Sequence, residues 1–441
     1  MKSKKLWTLA LAGVMTASVL GGCSGSGAVD SGNLSDGSGG ETGGKTTITF
    51  LCSGVKATSG EDFRAETLPR IVGEKFPDVT LEVTMLPDDQ YYTALKTKLA
   101  TGEAPDLLWV QPRYAGANAT YSLAEAGYLE DLSQLEAVKK VGSASGDFAY
   151  KGKVYGMPGG IAYLGTYYNK TMFEENGLKV PESWDEFINC CETLKQAGIQ
   201  PIMMGDKDAY VMQFGLYQLA ANMIYPKDPE FDQKLRDGKA KFTDEGTWDA
   251  VLARYMELYE KGYIQSGSLG LGVSQAQQKF ADGKCAMIFD GTFNRQAVSA
   301  GGEGGFETGF FPLPGNDAGE QLYAAGAPGA GPAIYSGSKN KDICKQILEM
   351  WYDGESDLYK AYETNGKFIS TNEGAEIDPL FDPFMQLYKE GHSFYWCNQA
   401  WPAGTENEME ALFGEMIGET GMDVPGITKG MQSKFEELLK E

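Results

Sequence analysis

Histidine is almost missing from this chain: 441 residues hold one, His392. A zinc site or a Ser-His-Asp arrangement would have to be built around that single imidazole. No HExxH, GxSxG or CxxC pattern accompanies it, so it reads as structural. Cysteine is also sparse. Beyond Cys23 there are six, at 52, 190, 191, 285, 344 and 397, without a repeated spacing. A chain this large needs no covalent staples, and no disulfide framework is visible. Cys190 and Cys191 are adjacent and point to different faces of a predicted helix, which suits core fillers. Positive charge is in deficit, with 38 Lys and Arg against 61 Asp and Glu and a net charge of −23. That balance opposes nucleic-acid binding and electrostatic adhesion to anionic lipid. No metal-ligand set, cofactor motif or catalytic constellation stands out. Two carboxylates acting as a hydrolytic pair stay open, because sequence does not show their separation.

Long apolar runs are limited to one, at the start. Lys2, Lys4 and Lys5 precede Leu6 to Leu20, a stretch too short to span a bilayer comfortably, and residues 1–22 read as a secretory signal. Leu20-Gly21-Gly22-Cys23 resembles the lipobox of bacterial lipoproteins. The resemblance implies cleavage before Cys23, lipid on its sulfur and new N-terminus, and anchoring at the outer face of a bacterial plasma membrane. Residues 23–45 are mostly Gly, Ser, Thr and acids, a composition that makes a flexible linker. No later run of eighteen apolar residues follows, so the lipid is the expected membrane contact.

The remaining stretch of about 395 residues exceeds one ordinary hydrophobic core, and two domains are expected. TTITFLC (46–52) is β-rich, EDFRAETLPRIVGEKFP reads as a helix, and VTLEVTML (79–86) as a strand with Val79, Leu81, Val83 and Met85 on one face. A helix around Gln90–Thr101 and a short buried strand at 106–110 follow. Alternation of this kind predicts a largely parallel α/β sheet, with ligands at the carboxyl ends of its strands. Further on, helices are predicted at 170–175, 184–197 and 247–262, strands at 285–291, 309–313 and 331–335, and helical sequence from Lys341 and at 431–439.

Four segments together carry a family resemblance over essentially the whole mature chain: TGEAPDLLWV, GKVYGMPGGIAYLGTYYNKTMFEENGLKVPESWDEF, FADGKCAMIFDGTFN and FFPLPG. In this order, behind a lipobox, they resemble the extracellular solute-binding proteins of sugar ABC importers. The resemblance implies a two-lobe α/β fold of the periplasmic-binding-protein type II, with a hinge and an interlobe ligand cleft that closes on its ligand. Matching the motifs places crossings at GIAYLGTYYNK, AMIFDGTFN and AIYSGSKNK. Lobe 1 is then 46–162 plus 291–335, and lobe 2 is 163–290 plus 336–441. The implied function is capture of a neutral oligosaccharide by a monomer, which delivers it to a transporter permease without chemistry or cofactor. A secreted carbohydrate-active enzyme, or a binder of a charged solute such as a peptide, is the alternative.

A sugar presents apolar ring faces and a rim of hydroxyls, so aromatic faces flanked by polar groups are the residues to look for. Trp109, Gln111 and Arg113 follow the third strand, although strand register could equally turn Trp109 into the core. Tyr163 lies in the first crossing, and Asp208 with Tyr210 opens a helix where the family commonly places a stacking ring. Asp290, Phe293 and Asn294 come from FDGTFN; the family often has tryptophan where Phe293 stands. Gly326 and Gly329 would let backbone approach a ligand. FYWCNQAWPAG gathers Tyr395, Trp396, Asn398, Gln399 and Trp401 in one irregular segment, outside any helical stripe. Glu61 and Asp62 are either hydroxyl acceptors or helix-capping acids.

Overall fold

The computed structural model describes residues 45–54, 61–112, 118–298, 305–365, 369–402 and 404–440. The expected signal, Cys23, the linker up to residue 44 and Arg113 lie outside them. Strands β1 (Thr46–Ser53), β2 (Val79–Leu86) and β3 (Leu107–Val110) form where the sequence is β-branched and apolar. All three run parallel: β1 pairs β2 from Thr46↔Val79 to Ser53↔Leu86, and β3 on its other side at Phe50↔Leu107. The helix Leu68–Lys75 between the first two is led in by a π-turn, Phe63–Thr67. The Oδ1 of Asp62 accepts the Arg64 and Ala65 N–H groups that begin that turn, so Asp62 is a capping acid. The helix Asp88–Thr101 stops on Gly102, whose φ of 71° is a left-handed cap that glycine adopts without strain.

A hairpin of β4 (Ala149–Tyr150) and β5 (Lys153–Val154) precedes the second sheet. That sheet takes β6 (Ile161–Asn169), β7 (Ile202–Met203), β8 (Met287–Gly291), β9 (Thr308–Phe311) and β10 (Ala324–Pro328). The next strand, β11 (Gly331–Ile334), returns to β3, and the last, β12 (Ser393–Phe394), joins β10. The orders are β11-β3-β1-β2 and β12-β10-β6-β8-β7, with β9 also on β6. The expected parallel sheet describes the first of these. In the second, β6 is antiparallel to β8, β9 and β10, and only β7/β8 and β10/β12 are parallel.

Gly44–Glu441 holds together as one unit, within which each sheet has its own core. Phe50, Leu108, Trp109 and Trp351 belong to the first. Side chains along β6 and β8 alternate between two further cores, as the strand period requires: Leu164 and Phe289 on one face, Tyr163, Tyr167 and Ile288 on the other. Six cysteines, from Cys52 to Cys397, are free and buried, and burial pushes the Cys190 thiol up to about 11.

The pairings move two of the expected crossings. Passage from the first sheet to the second occurs between Met157 and Ile161, close to the expected place. The return lies between Pro328, opposite Ile161, and Gly331, opposite Val110. The described residues of 291–328, expected in lobe 1, therefore belong with the second sheet, whose β6 they extend through β9 and β10. Residues 336–365, expected in lobe 2, carry the helices Lys341–Trp351 and Asp357–Asn365, whose Ile347, Trp351, Leu358 and Tyr362 fill the first core. Ile369 then bridges back to Ile161. Glycine-rich turns mark where a strand stops, and FDGTFN and YSGSK end strands without changing lobe.

Contact is tightest at the return. A Cβ on Gly331 would stand 1.8 Å from the Met157 carbonyl oxygen and 2.6 Å from the Gly159 nitrogen. Both are backbone atoms that no rotamer change can move. Gly331→Ala should lower the free energy of unfolding by about 1–3 kcal/mol, read from urea denaturation.

Candidate functional site

Strand direction decides where ligand-facing groups collect. In the first sheet the carboxyl end of β3 meets the amino end of β11, next to the passage between sheets. In the second, β7, β8, β10 and β12 all end where β6 begins, because β6 alone runs the other way among them. The carboxyl ends of both sheets thus face the crossings. Residues just beyond those ends are the candidates, as in open α/β sheets generally. They are Gln111 after β3, Asp208 and Tyr210 after β7, Thr292–Asn294 after β8, and Tyr395 and Trp396 after β12.

Four aromatic rings form a continuous row at this end of the second sheet. Tyr210, on the turn Ala209–Val211, is 42% exposed and meets Phe214 edge to face at 5.7 Å between centroids. Phe214 meets Phe293 at 6.0 Å, and Phe293 meets Trp396 at 6.4 Å. Phe293 and Trp396 are half-buried, so part of each ring is open to solvent. The Nε1 of Trp396 and the Oδ1 of Asn398 are buried and have no hydrogen-bond partner among the described residues. Such groups are costly to leave unpaired; the Trp396 indole belongs to the row itself, and Asn398 follows it by two residues.

Asp290 is expected at the ligand, but the structure buries it completely. Its Oδ1 accepts from the Gly291 N–H at 2.7 Å and from Asn294 Nδ2 at 2.8 Å, while Oδ2 accepts from Gln277 Nε2 at 2.8 Å. With three donors already bound, it fixes the Thr292–Asn294 turn and so sets where Phe293 and Asn294 stand. Burial among neutral donors pushes its carboxyl up to about 6. Asp208 is structural in the same way, since its Oδ2 accepts the Val273 N–H at 2.7 Å, at the start of the helix Val273–Ala281.

Other expected contacts lie in cores. Trp109 is 4% exposed between Phe50 and Trp351, with the Arg64 guanidinium 5.1 Å from its ring centre. Tyr163 is wholly buried against Phe384. Its cross-strand partner is Gly326, where a Cβ would fall 2.1 Å from the Tyr163 ring, so that glycine makes room for a tyrosine rather than a ligand. Trp401 is fully buried among Tyr217, Phe242 and Trp248, and its Nε1 donates to Asp232 at 3.1 Å. Tyr395 and Gln111 are half-buried. Arg113 lies outside the described residues. Phe214, which joins Tyr210 to Phe293, is absent from the sequence expectations; its i, i+4 spacing from Tyr210 was the available signal.

Asp206 and Glu410 are buried, and Asp232 is half-buried. Burial lifts Asp232 to about 7, against hydrogen bonds from Trp401 and Tyr225, and lifts Asp206 to about 6. Burial, then repulsion from Glu406, lifts Glu410 to about 8. Folded values above the unfolded ones mean that the native state holds more protons between about pH 4 and 8. Stability therefore falls as pH rises through that window. The melting temperature at pH 5.5 should exceed that at pH 8 by roughly several degrees, and Asp232→Asn should flatten the slope. Calorimetry showing a rise in melting temperature with pH would contradict this.

The family model for bacterial extracellular solute-binding proteins matches residues 63–355, and the chain belongs to that family. It is 25% identical over 349 residues to the multiple sugar-binding protein of Streptococcus mutans, covering 76% of this chain and 79% of that one. With the galactooligosaccharide-binding protein of Bacillus subtilis it shares 24% over 302 residues, 66% of each. A solved chitin oligosaccharide binding protein superimposes with a TM-score of 0.74 at 22% identity, covering 90% of this chain and 100% of that one. The solute-binding protein RafE with raffinose gives 0.73 at 23%, with the same coverage. The likenesses carry the two-lobe α/β fold. Membership places the chain among extracytoplasmic binding proteins rather than enzymes. Among the described residues no helix is long and apolar enough to cross a membrane.

Proposed function

We propose that this protein captures a neutral oligosaccharide at the aromatic row and hands it, chemically unchanged, to the permease of an ABC importer. The row Tyr210–Phe214–Phe293–Trp396 carries the reading. Tyr210, Phe293 and Trp396 present open ring surface for apolar sugar faces while buried Phe214 supports them, and Asn294, Asn398 and the Trp396 indole supply groups for hydroxyls. Gln111, at the carboxyl end of β3, is the contribution of the first lobe. Relatives named for multiple sugars and galactooligosaccharides support this ligand class. The protein acts as a monomer, anchored through acylated Cys23 at the outer face of the plasma membrane. Lobe 1 comprises the described residues of 46–159 and 330–365, and lobe 2 the described residues of 161–328 and 369–440.

A thermal-shift screen against raffinose, stachyose, galactooligosaccharides and chitin oligosaccharides tests the ligand class, since a ligand selective for the folded form raises its melting temperature. At least one should raise it, and chromatography after long incubation should recover that sugar intact. A response only to peptides, or the appearance of shorter sugars, would overturn the proposal. Mass spectrometry of the membrane-extracted protein checks the acyl group on Cys23.

A further inference from the structure

Three tyrosines of the first lobe reach the segments that cross to the second. Tyr352 OH donates to the Pro158 carbonyl at 2.8 Å, and Tyr362 OH donates to the carbonyl of Gly159. Tyr359 shares a 2.6 Å hydrogen bond with Ser370, and Asn372 Nδ2 donates to the Tyr352 carbonyl at 2.9 Å. All three rings are buried, at 2%, 5% and 7% exposure. Their helices also supply Trp351 and Leu358 to the first core, so the hydroxyls sit on a rigid platform.

One residue further along, allegiance changes. The Gly160 carbonyl accepts from the Gly329 N–H at 2.7 Å, and Ile161 exchanges bonds of 2.7 and 3.3 Å with Ile369. From Ile161 the chain pairs with β10 of the second sheet. The switch from tyrosine-held to sheet-held backbone falls at Gly160, whose φ of 114° is open to glycine and strained for other residues. Pro158 cannot continue a ladder through an N–H of its own, so the tyrosine bond is a specific tether on that side.

We infer that Tyr352, Tyr359 and Tyr362 clamp the crossing segments to the first lobe and confine interlobe bending to Gly160 and Gly329. Removing the hydroxyls frees the first crossing from its platform and spreads the bend over Met157–Ile161. The inference concerns the ligand-free protein and does not depend on which solute is bound.

Amide hydrogen exchange on the full-length protein without ligand tests it. In Tyr352→Phe/Tyr362→Phe, exchange in peptides covering 157–161 should quicken about ten-fold, while β1 and β2 stay unchanged. Ser370→Ala, which leaves every ring in place, should quicken 369–372 by roughly three-fold and serves if the double variant does not fold. Unchanged exchange in both crossings, or equal acceleration everywhere, would overturn the clamp. Neither result bears on sugar binding, which the thermal-shift screen measures separately.

Discussion

Trp401→Ala lowers the free energy of unfolding by about 3–5 kcal/mol, the range for deleting a large aromatic from a packed core. The indole fills the space between Phe242 and Trp248, at 5.1 and 5.2 Å between ring centres, and no exposed surface lets the site relax around water. A second effect adds to the cavity. Trp401 Nε1 donates to Asp232, and its loss leaves that half-buried carboxyl leaning on the Tyr225 hydroxyl at 3.0 Å. Trp401→Phe separates the two contributions, keeping most of the ring volume while removing the donor, and should recover more than half of the loss. Denaturant unfolding measures both variants. Sugar affinity, determined below the unfolding transition, should match the parent in Trp401→Phe. A large fall in affinity with normal stability would return this residue to the ligand.

Trp401 and Trp396 show where sequence reasoning ran out. Both stand in FYWCNQAWPAG, five residues apart in irregular backbone, so no helical or strand period separates a core position from an open one. Trp109 presents a related difficulty. All four residues of β3 are buried, so either register would have hidden its ring. By contrast β1, β2 and the helix between them were legible, since β-branched runs, an alternating face and a capping aspartate each leave a local mark. The lobe assignment of 291–365 left none. Which sheet a strand joins depends on pairing partners far away in sequence, such as Tyr163 with Gly326. Phe214 escaped notice because the helix Met212–Met223 is buried all round and reads as core.

Phe293→Ala and Trp396→Ala each weaken binding of the responding oligosaccharide about 30-fold, equivalent to roughly 2 kcal/mol per anchor ring. The expectation follows from their place in the row: both rings are half-buried, which fixes their orientation, and each keeps a solvent-facing part free for a sugar face. Holding a ring in place beforehand removes the entropy that a mobile side chain would lose on binding. Phe214→Ala should weaken binding less, because Phe214 is 3% exposed and acts by supporting Tyr210 and Phe293. Phe293→Trp offers a larger face at the same point and should preserve or tighten binding. Asp290→Asn tests the support beneath the row. It replaces an acceptor with an amide nitrogen opposite N–H donors from Gly291, Gln277 and Asn294, so one bond must be lost and the turn shifts. Affinity should then fall although Asp290 itself touches no ligand. Titration calorimetry across the five variants decides the matter. If the alanine variants at 293 and 396 bind as the parent does, the sugar is not held by this row, and the carboxyl ends of the first sheet become the place to look.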